Sequence, residues 1–273
     1  MNTEMKKISR QKSILFGTIL FSFFMIMLLV SFVWIPYGYD IIFDGKSLLG
    51  PSSEFFLGTD DLGRDLFSRL LKGSQFSLGI GLVVGGISIF FGASLGLSAA
   101  YFGRRIDFIF TQLMNALQAM PSLLLALFVV AILGPSITNT IISVTLVSIP
   151  SMYRLVRSQA LVEMSKEYIQ SAKALGASDK RIIFRHLLPN CATAVLVQSA
   201  VCCSEAILNT AALGFLGLGI PAPYPEWGTM LSDSRNLMES APQLMWIPGL
   251  CLLLLILSTQ LLSDGFRDQL KRK

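Results

Sequence analysis

"EYIQSAKALGASDKRIIFRHLLPN", residues 167–190, is a charged, helix-prone strip flanked by apolar runs of membrane length. Its pattern resolves into two short helices. Ser165 can cap the first, and Glu167 in its first turn favours the positive end of the helix dipole. Tyr168, Ile169, Ala172 and Leu175 then share one face. Gly176 closes this helix, because glycine enters the left-handed backbone region without steric penalty. Ser178 caps a second helix with Asp179 in its first turn. Ile182, Ile183 and Leu187 line one of its sides, Arg181 and Arg185 another, and Pro189 ends it before the next apolar run. Both helices are shorter than the about 12–15 residues that persist alone in water. They need a surface, which is either a groove in a soluble partner or the lipid headgroups.

The surroundings decide what kind of chain carries this strip. Of 273 residues, 53% are hydrophobic and 14% charged, too few charges for a soluble domain of this length. Mean hydropathy is +0.63. Six segments are candidates for crossing a bilayer: 14–35, 74–102, 108–133, 137–153, 191–213 and 244–262. The first ends in Val33-Trp34-Ile35-Pro36 and lacks a small-residue cleavage site, so it reads as a retained helix with an aromatic anchor rather than a signal peptide. Pro121 is expected to kink the third span, and Pro150 stands near the C-terminal end of the short fourth. Gly81-x-x-x-Gly85 and Gly92-x-x-x-Gly96 in the second are close-packing spacings.

Lys and Arg are distributed unevenly over the connections. Seventeen fall on the side that carries the N-terminus, the 103–107 and 154–190 connections and the C-terminal tail, and five on the other. The positive-inside rule therefore places both termini and the 167–190 strip in the cytoplasm, with 36–73 and 221–243 outside. In the outer segment 58–73, Thr59 or Asp60 can cap an amphipathic helix bearing Leu62, Leu66 and Leu70 on one face and an Asp65–Arg69 pair. It reads as an interfacial linker or as a docking surface for an outer partner. Glycines and prolines in 214–228 forbid a continuous helix, leaving a capping loop or an entry gate with Tyr224 and Trp227 at the interface.

Several chemistries are excluded. The basic residues are dispersed and form no nucleic-acid-binding face. His186 is the only histidine, with no oriented partner for nucleophilic catalysis and no companions for a metal site. Asp44-Gly45-Lys46-Ser47 imitates a phosphate loop but has Asp40 where the motif requires glycine. Cys191, Cys202, Cys203 and Cys251 sit in or beside apolar runs as small packing residues, not as a disulfide framework. Glu205, inside an apolar stretch, should face the bundle interior, either lining a pathway or bonding a neighbouring helix.

The strip resembles the cytoplasmic "EAA" loop of ABC-importer permeases. Ala172, Gly176, Leu188 and Pro189 match that pattern in register, whereas Gln170, Ser171 and His186 depart from it. "LGTDDLGRDLFSRLLKG", "MPSLLLALFVVAILGPSITNTII" and "AALGFLGLGIPAPYPEWGTMLSDSR" are similar to the C-type membrane subunit of dipeptide/oligopeptide/nickel importers, most of all the dipeptide permeases. The resemblance implies an all-α integral membrane protein of the bacterial cytoplasmic (inner) membrane, with six transmembrane helices in the type I ABC-importer permease (MetI-like) fold. Residues 1–73 would hold the tail, first span and outer segment, and 74–273 the permease core with the coupling loop 154–190. It implies no cofactor in this chain, ATP and Mg being bound by two partner ATPases, and as further partners a B-type permease and an extracytoplasmic substrate-binding protein. Coupling to the ATPases would fall to Glu167, Ala172, Gly176, Ala177, Ser178, Arg181 and Pro189, and outer-partner contact to Asp61, Arg64, Asp65 and Trp227. The cargo implied is dipeptides or short oligopeptides; nickel or a metal chelate, a haem precursor and antimicrobial peptides are the alternatives within the architecture. Outside it stand an ATP-independent channel and a membrane enzyme, for which Glu205 alone offers intramembrane chemistry.

Overall fold

The computed structural model describes the backbone of residues 2–270, and the side chains of residues 14–265 and of Arg267. The basic residues at the N-terminus (Lys6, Lys7, Arg10 and Lys12) and Lys271, Arg272 and Lys273 lie outside the described side chains. Ten α-helices account for nearly all the regular structure: α1 (Asn2–Val33), α2 (Leu66–Phe102), α3 (Arg104–Gln118), α4 (Ser122–Leu133), α5 (Ile137–Met164), α6 (Glu167–Ala174), α7 (Asp179–Arg181), α8 (Leu188–Phe215), α9 (Trp227–Asp233) and α10 (Gln243–Leu270). The only strand-like pairing among the described residues is the single bridge between Thr59 and Asp65.

α2 is the axis of the bundle because its glycines let two neighbours approach. A Cβ on Gly92 would lie 2.6 Å from Met152 of α5, and one on Gly81 2.6 Å from Ile207 of α8. The sequence spacing of small residues thus marks the two faces where backbones nearly touch. α1 and α10 pack together along the opposite side, with Phe24, Leu252 and Leu255 buried in a shared apolar cluster.

Four helical stretches are long and apolar enough to cross a membrane, or five if α3 and α4 count as one span. α5 is long enough too, but buried Thr140, Ser143, Thr145 and Ser148 lower its hydropathy; it packs against α2, α4 and α8. Two expectations change here. The third span is not a kinked helix: α3 and α4 meet at 88° across Ala119–Pro121, and α3 carries Arg104, Arg105 and Asp107. A proline whose missing N–H frees a carbonyl, next to a helix with a polar face, gives a corner instead of a bend. The fourth span does not end near Pro150, which lies inside α5; the helix runs on to Met164 and the strip.

The outer segment also differs from its reading. Residues 58–65 are not helical; α2 starts at Leu66, capped by Asp65, whose Oδ2 accepts from the Ser68 backbone N–H at 2.8 Å. Asp65 does not pair with Arg69, which instead meets Asp60 at 3.4 Å, as does Arg64 at 2.7 Å. The amphipathic pattern of 66–72 is the first two turns of a spanning helix that continues unbroken to Phe102.

Candidate functional site

The strip is a firm structure with one greasy side and one bare side. Ile169, Ile182 and Leu187 are fully buried against Leu97 and Ala100 of α2 and Val156 and Ala160 of α5. Polar ties hold its edges. The Tyr101 hydroxyl donates to Asp179 Oδ1 at 2.6 Å, and the Lys173 ammonium lies 4.9 Å from the centre of the Tyr101 ring. Tyr168 donates its hydroxyl to Glu163, and Asn190 Nδ2 donates to Tyr168 Oη at 3.0 Å and to the His186 carbonyl at 2.7 Å. Burial, then the Glu163 carboxylate, pushes the Tyr168 phenol up to about 12, which keeps it a donor at any physiological pH.

Gly176 makes the corner. Its φ is +78°, its N–H donates to the Lys173 carbonyl at 3.0 Å, and the Ala177 N–H reaches back to the Ala172 carbonyl at 3.0 Å. These are the paired bonds that close a helix through a left-handed residue. Nothing lies within 4 Å of where a Cβ would be. The corner turns Leu175 outward, leaving it 89% exposed, and Phe184 further along the strip is 65% exposed. Lys173, Lys180, Arg181 and Arg185 are the exposed cations of the same strip.

Of the residues expected to couple, Glu167, Gly176, Ser178, Arg181 and Pro189 are exposed, and Ala172 and Ala177 are half-buried. Four details of the expected pattern change. Lys166, not Ser165, occupies the first N-cap, and Ser165 instead ends α5, its hydroxyl donating to the Val162 carbonyl at 2.8 Å. Ser178 occupies the second N-cap position without a side-chain capping bond. Leu175 is outward rather than on the packed face, because the helical phase stops at Ala174. Pro189 does not end a helix: it sits in the first turn of α8, and residues 182–187 form a π-helical stretch that joins α7 to α8 in one 37-residue run, Asp179–Phe215. The missing N–H of Pro189 falls where the bonding is already shifted to the π pattern, the Leu188 N–H reaching the Ile183 carbonyl. Leu175, Phe184, Tyr101 and Glu163 were not legible as site residues; their roles depend on the corner and on which helix end lies beneath it.

A second feature opens away from the strip. A cavity of about 400 Å³ lies between the α3–α4 corner, α5 and α8. Val147, Ser151 and Arg154 reach it from one face of α5, and Glu205, Leu208 and Asn209 from one face of α8, as helical spacing requires.

At the end of α2 away from the strip, the 216–226 loop and α9 form a plug locked onto that helix. Trp227 is fully buried: its ring lies 5.9 Å from that of Phe24, and its Nε1–H donates to the Leu70 carbonyl at 3.1 Å. It is a core residue, and its expected contact with an outer partner does not fit this position. Glu226 caps α9, accepting from the Thr229 N–H at 2.9 Å and the Ser77 hydroxyl at 3.1 Å. Gly228 lets the plug touch α8, since a Cβ there would lie 2.2 Å from the Ala211 carbonyl oxygen. Arg64 and Asp65, also expected to meet an outer partner, are buried in the structure of residues 58–69, while Asp61 is exposed.

A polytopic helical bundle with a basic strip on one end and a cavity carrying both charge signs between its central helices has the make-up of a membrane transport subunit. The description "Binding-protein-dependent transport system inner membrane component" matches residues 88–272, and the chain belongs to that family. It is 41% identical over 268 residues to the "Dipeptide transport system permease protein DppC" of Alkalihalophilus pseudofirmus, covering 98% of this chain and 88% of that one. It is 45% identical to the "Di/tripeptide transport system permease protein DppC" of Pseudomonas aeruginosa over 83% of this chain and 75% of that one. The "Glutathione transport system permease protein GsiD" of Pectobacterium atrosepticum is 40% identical over 92% of this chain and 85% of that one. Among solved structures, the inward-facing MetNI methionine ABC transporter superposes with a TM-score of 0.58 over 72% of this chain and 93% of that chain, at 20% identity, a likeness of fold. The chain is therefore an inner-membrane permease subunit of an ABC importer, a transport component rather than an enzyme, and works with ATPase and binding-protein partners.

Proposed function

We propose that this permease imports dipeptides or short oligopeptides, and that the 167–190 strip is where ATPase motion enters it. The observation that carries the coupling assignment is the strip's two-sidedness: Ile169, Ile182 and Leu187 are wholly buried against α2 and α5, while Leu175, Phe184 and four cations are exposed. Two bare apolar side chains on an anchored corner suit insertion into a groove on a soluble protein; a strip serving lipid headgroups would not need a rigid corner. The cargo follows from the relatives named above as peptide permeases.

In this reading both termini and the strip are cytoplasmic, following the lysine and arginine count. A B-type permease completes the pathway, two ATPases bind ATP and Mg, this chain binds no cofactor, and an extracytoplasmic binding protein selects the cargo. ATP-driven closure of the ATPases moves the strip, the spans open outward to receive the cargo, and hydrolysis resets them.

The test is reconstitution with the four candidate partner proteins in proteoliposomes. ATP-dependent uptake of a labelled dipeptide, with both ATPases co-purifying, is the expected result. Uptake of nickel but not peptide would replace the cargo, and uptake without ATPases would overturn the mechanism in favour of a channel.

A further inference from the structure

The cavity between α5 and α8 holds two opposite charges that do not neutralise each other. Arg154 and Glu205 both line it and both are exposed, yet neither forms a salt bridge among the described residues. Each lies well inside a helix that packs against the centre of the bundle. Charged side chains on the helices of a membrane bundle avoid hydrocarbon; they face protein or a watery path. The rest of the wall is mixed: Gln118, Ser122, Ser151 and Asn209 are polar, and Leu117, Met120, Val147 and Leu208 apolar. Gln118 Oε1 is buried there without any hydrogen-bond partner.

The geometry points to this cavity as a transit site for zwitterions, with Glu205 receiving an ammonium group and Arg154 a carboxylate. This rests on the peptide reading above and makes it specific. A short peptide carries one charge of each sign at its ends, and a low-dielectric passage must offer each a counter-charge. Arg presents a fork that matches a carboxylate, whereas a carboxylate accepts from an ammonium without a fixed direction. A volume of about 400 Å³ lies at the small end of ordinary ligand pockets, roughly 300–1,000 Å³. The wall is also half open and supplies a single counter-charge per cargo end, as transit requires: binding must be strong enough for entry and weak enough for exit.

The experiment uses the reconstituted complex. A labelled dipeptide and its C-terminal amide are each supplied at a concentration that saturates the binding protein, and uptake is scored per ATP hydrolysed. The wild type is expected to move the free acid faster than the amide. Glu205→Gln should lower uptake of both about tenfold, the loss of one charge-assisted bond. Arg154→Gln should lower the free acid to the rate of the amide, erasing the wild-type preference. Arg154→Lys and Glu205→Asp should recover most of the wild-type preference. Wild-type rates and preference in the Gln variants overturn the site. Failure of those variants to co-purify with the partner permease also overturns it, since the charges would then be interface contacts. If the wild type moves no peptide at all, the peptide reading fails and this site with it.

Discussion

Gly176 is the residue on which the coupling assignment can be tested by degrees. Its φ of +78° lies where a Cβ meets the following carbonyl, but no other atom approaches within 4 Å of the Cβ position. Substitution therefore strains the backbone alone. Gly176→Ala should cost about 1–2 kcal/mol, the usual penalty of the left-handed region for an L-residue. Gly176→Asn should cost less, because asparagine visits that region readily. Gly176→Pro is of another kind: its ring fixes φ near −65° and removes the N–H that donates to Lys173. The corner then cannot form, and Leu175 loses its fixed position. About 1–2 kcal/mol shifts a local equilibrium by a factor of about 5–30. Dipeptide uptake and binding-protein-stimulated ATP hydrolysis in proteoliposomes should therefore both fall in the order Gly, Asn, Ala, Pro, and be absent in Pro. Membrane insertion should remain intact throughout, since the spans do not depend on the corner. A Gly176→Pro complex that transports normally refutes the coupling role. Equal losses for Asn, Ala and Pro would refute the backbone-strain reasoning behind it.

Three further outcomes are expected. Leu175→Asp leaves thermal stability within about 0.5 kcal/mol, as for an exposed position away from structural features, but weakens co-purification with the ATPases; unchanged recovery of the ATPases would argue against the knob as a contact. Trp227→Ala removes a buried ring and a hydrogen bond to Leu70, and should destabilise by about 3–5 kcal/mol in a detergent melt; an unchanged melt would return Trp227 to the surface role that the sequence suggested. Glu226, raised by burial to about 7 despite bonds from Gly228, Thr229 and Ser77, binds more protons folded than unfolded between its ordinary value of 4.5 and about 7. Stability should therefore fall as pH rises through that window, by on the order of 3 kcal/mol in all. Glu226→Gln keeps an acceptor for the Thr229 cap and should flatten that slope between pH 5 and 8; parallel slopes in the two proteins would show that another group titrates.

The legible and illegible parts of this chain divide along a physical line. Apolar length and the placement of Lys and Arg report on solvent, and they located the spanning regions and set the strip apart from them. Gly176 was legible because a left-handed corner demands a particular residue type. Direction was not legible. The run 108–133 contains enough apolar residues for one crossing, but composition does not show that the chain turns by 88° at Ala119–Pro121. Phase was legible only within a helix: Leu175 follows the apolar spacing of α6 but lies one residue past its end. Competition was illegible too. Asp65 and Arg69 have ideal helical spacing, yet Asp65 is taken by the helix N-terminus and Arg69 turns to Asp60, a partner nine residues away. The cavity shows the same limit. Glu205 was conspicuous as a charge in an apolar run, whereas Arg154 was one cation among seven in 154–190 until α5 proved to extend past Pro150 and carry it into the bundle.

That extension links the two proposed sites. α5 passes into α6 through two residues, Ser165 and Lys166, and α7 passes through the π-helical turns into α8 without a break. The strip is thus the connector between the two helices that carry Arg154 and Glu205. Glu205 stands 26 residues along the continuous run from Asp179, at about 1.5 Å per residue a reach on the order of 35–40 Å. Over such a length a small tilt at the strip end becomes a displacement of several ångströms at the cavity. α5 is held separately, by Arg157 to Asp107 of α3 at 2.7 Å and by the Tyr153–Thr111 contact at 2.9 Å. In the proposed importer, a push on the strip would therefore tilt α8 against an α5 braced by α3, changing the separation of the two charges around the cargo. No further relay between ATPase and cavity is required, because the element that receives the push and the wall that holds the cargo are one helix.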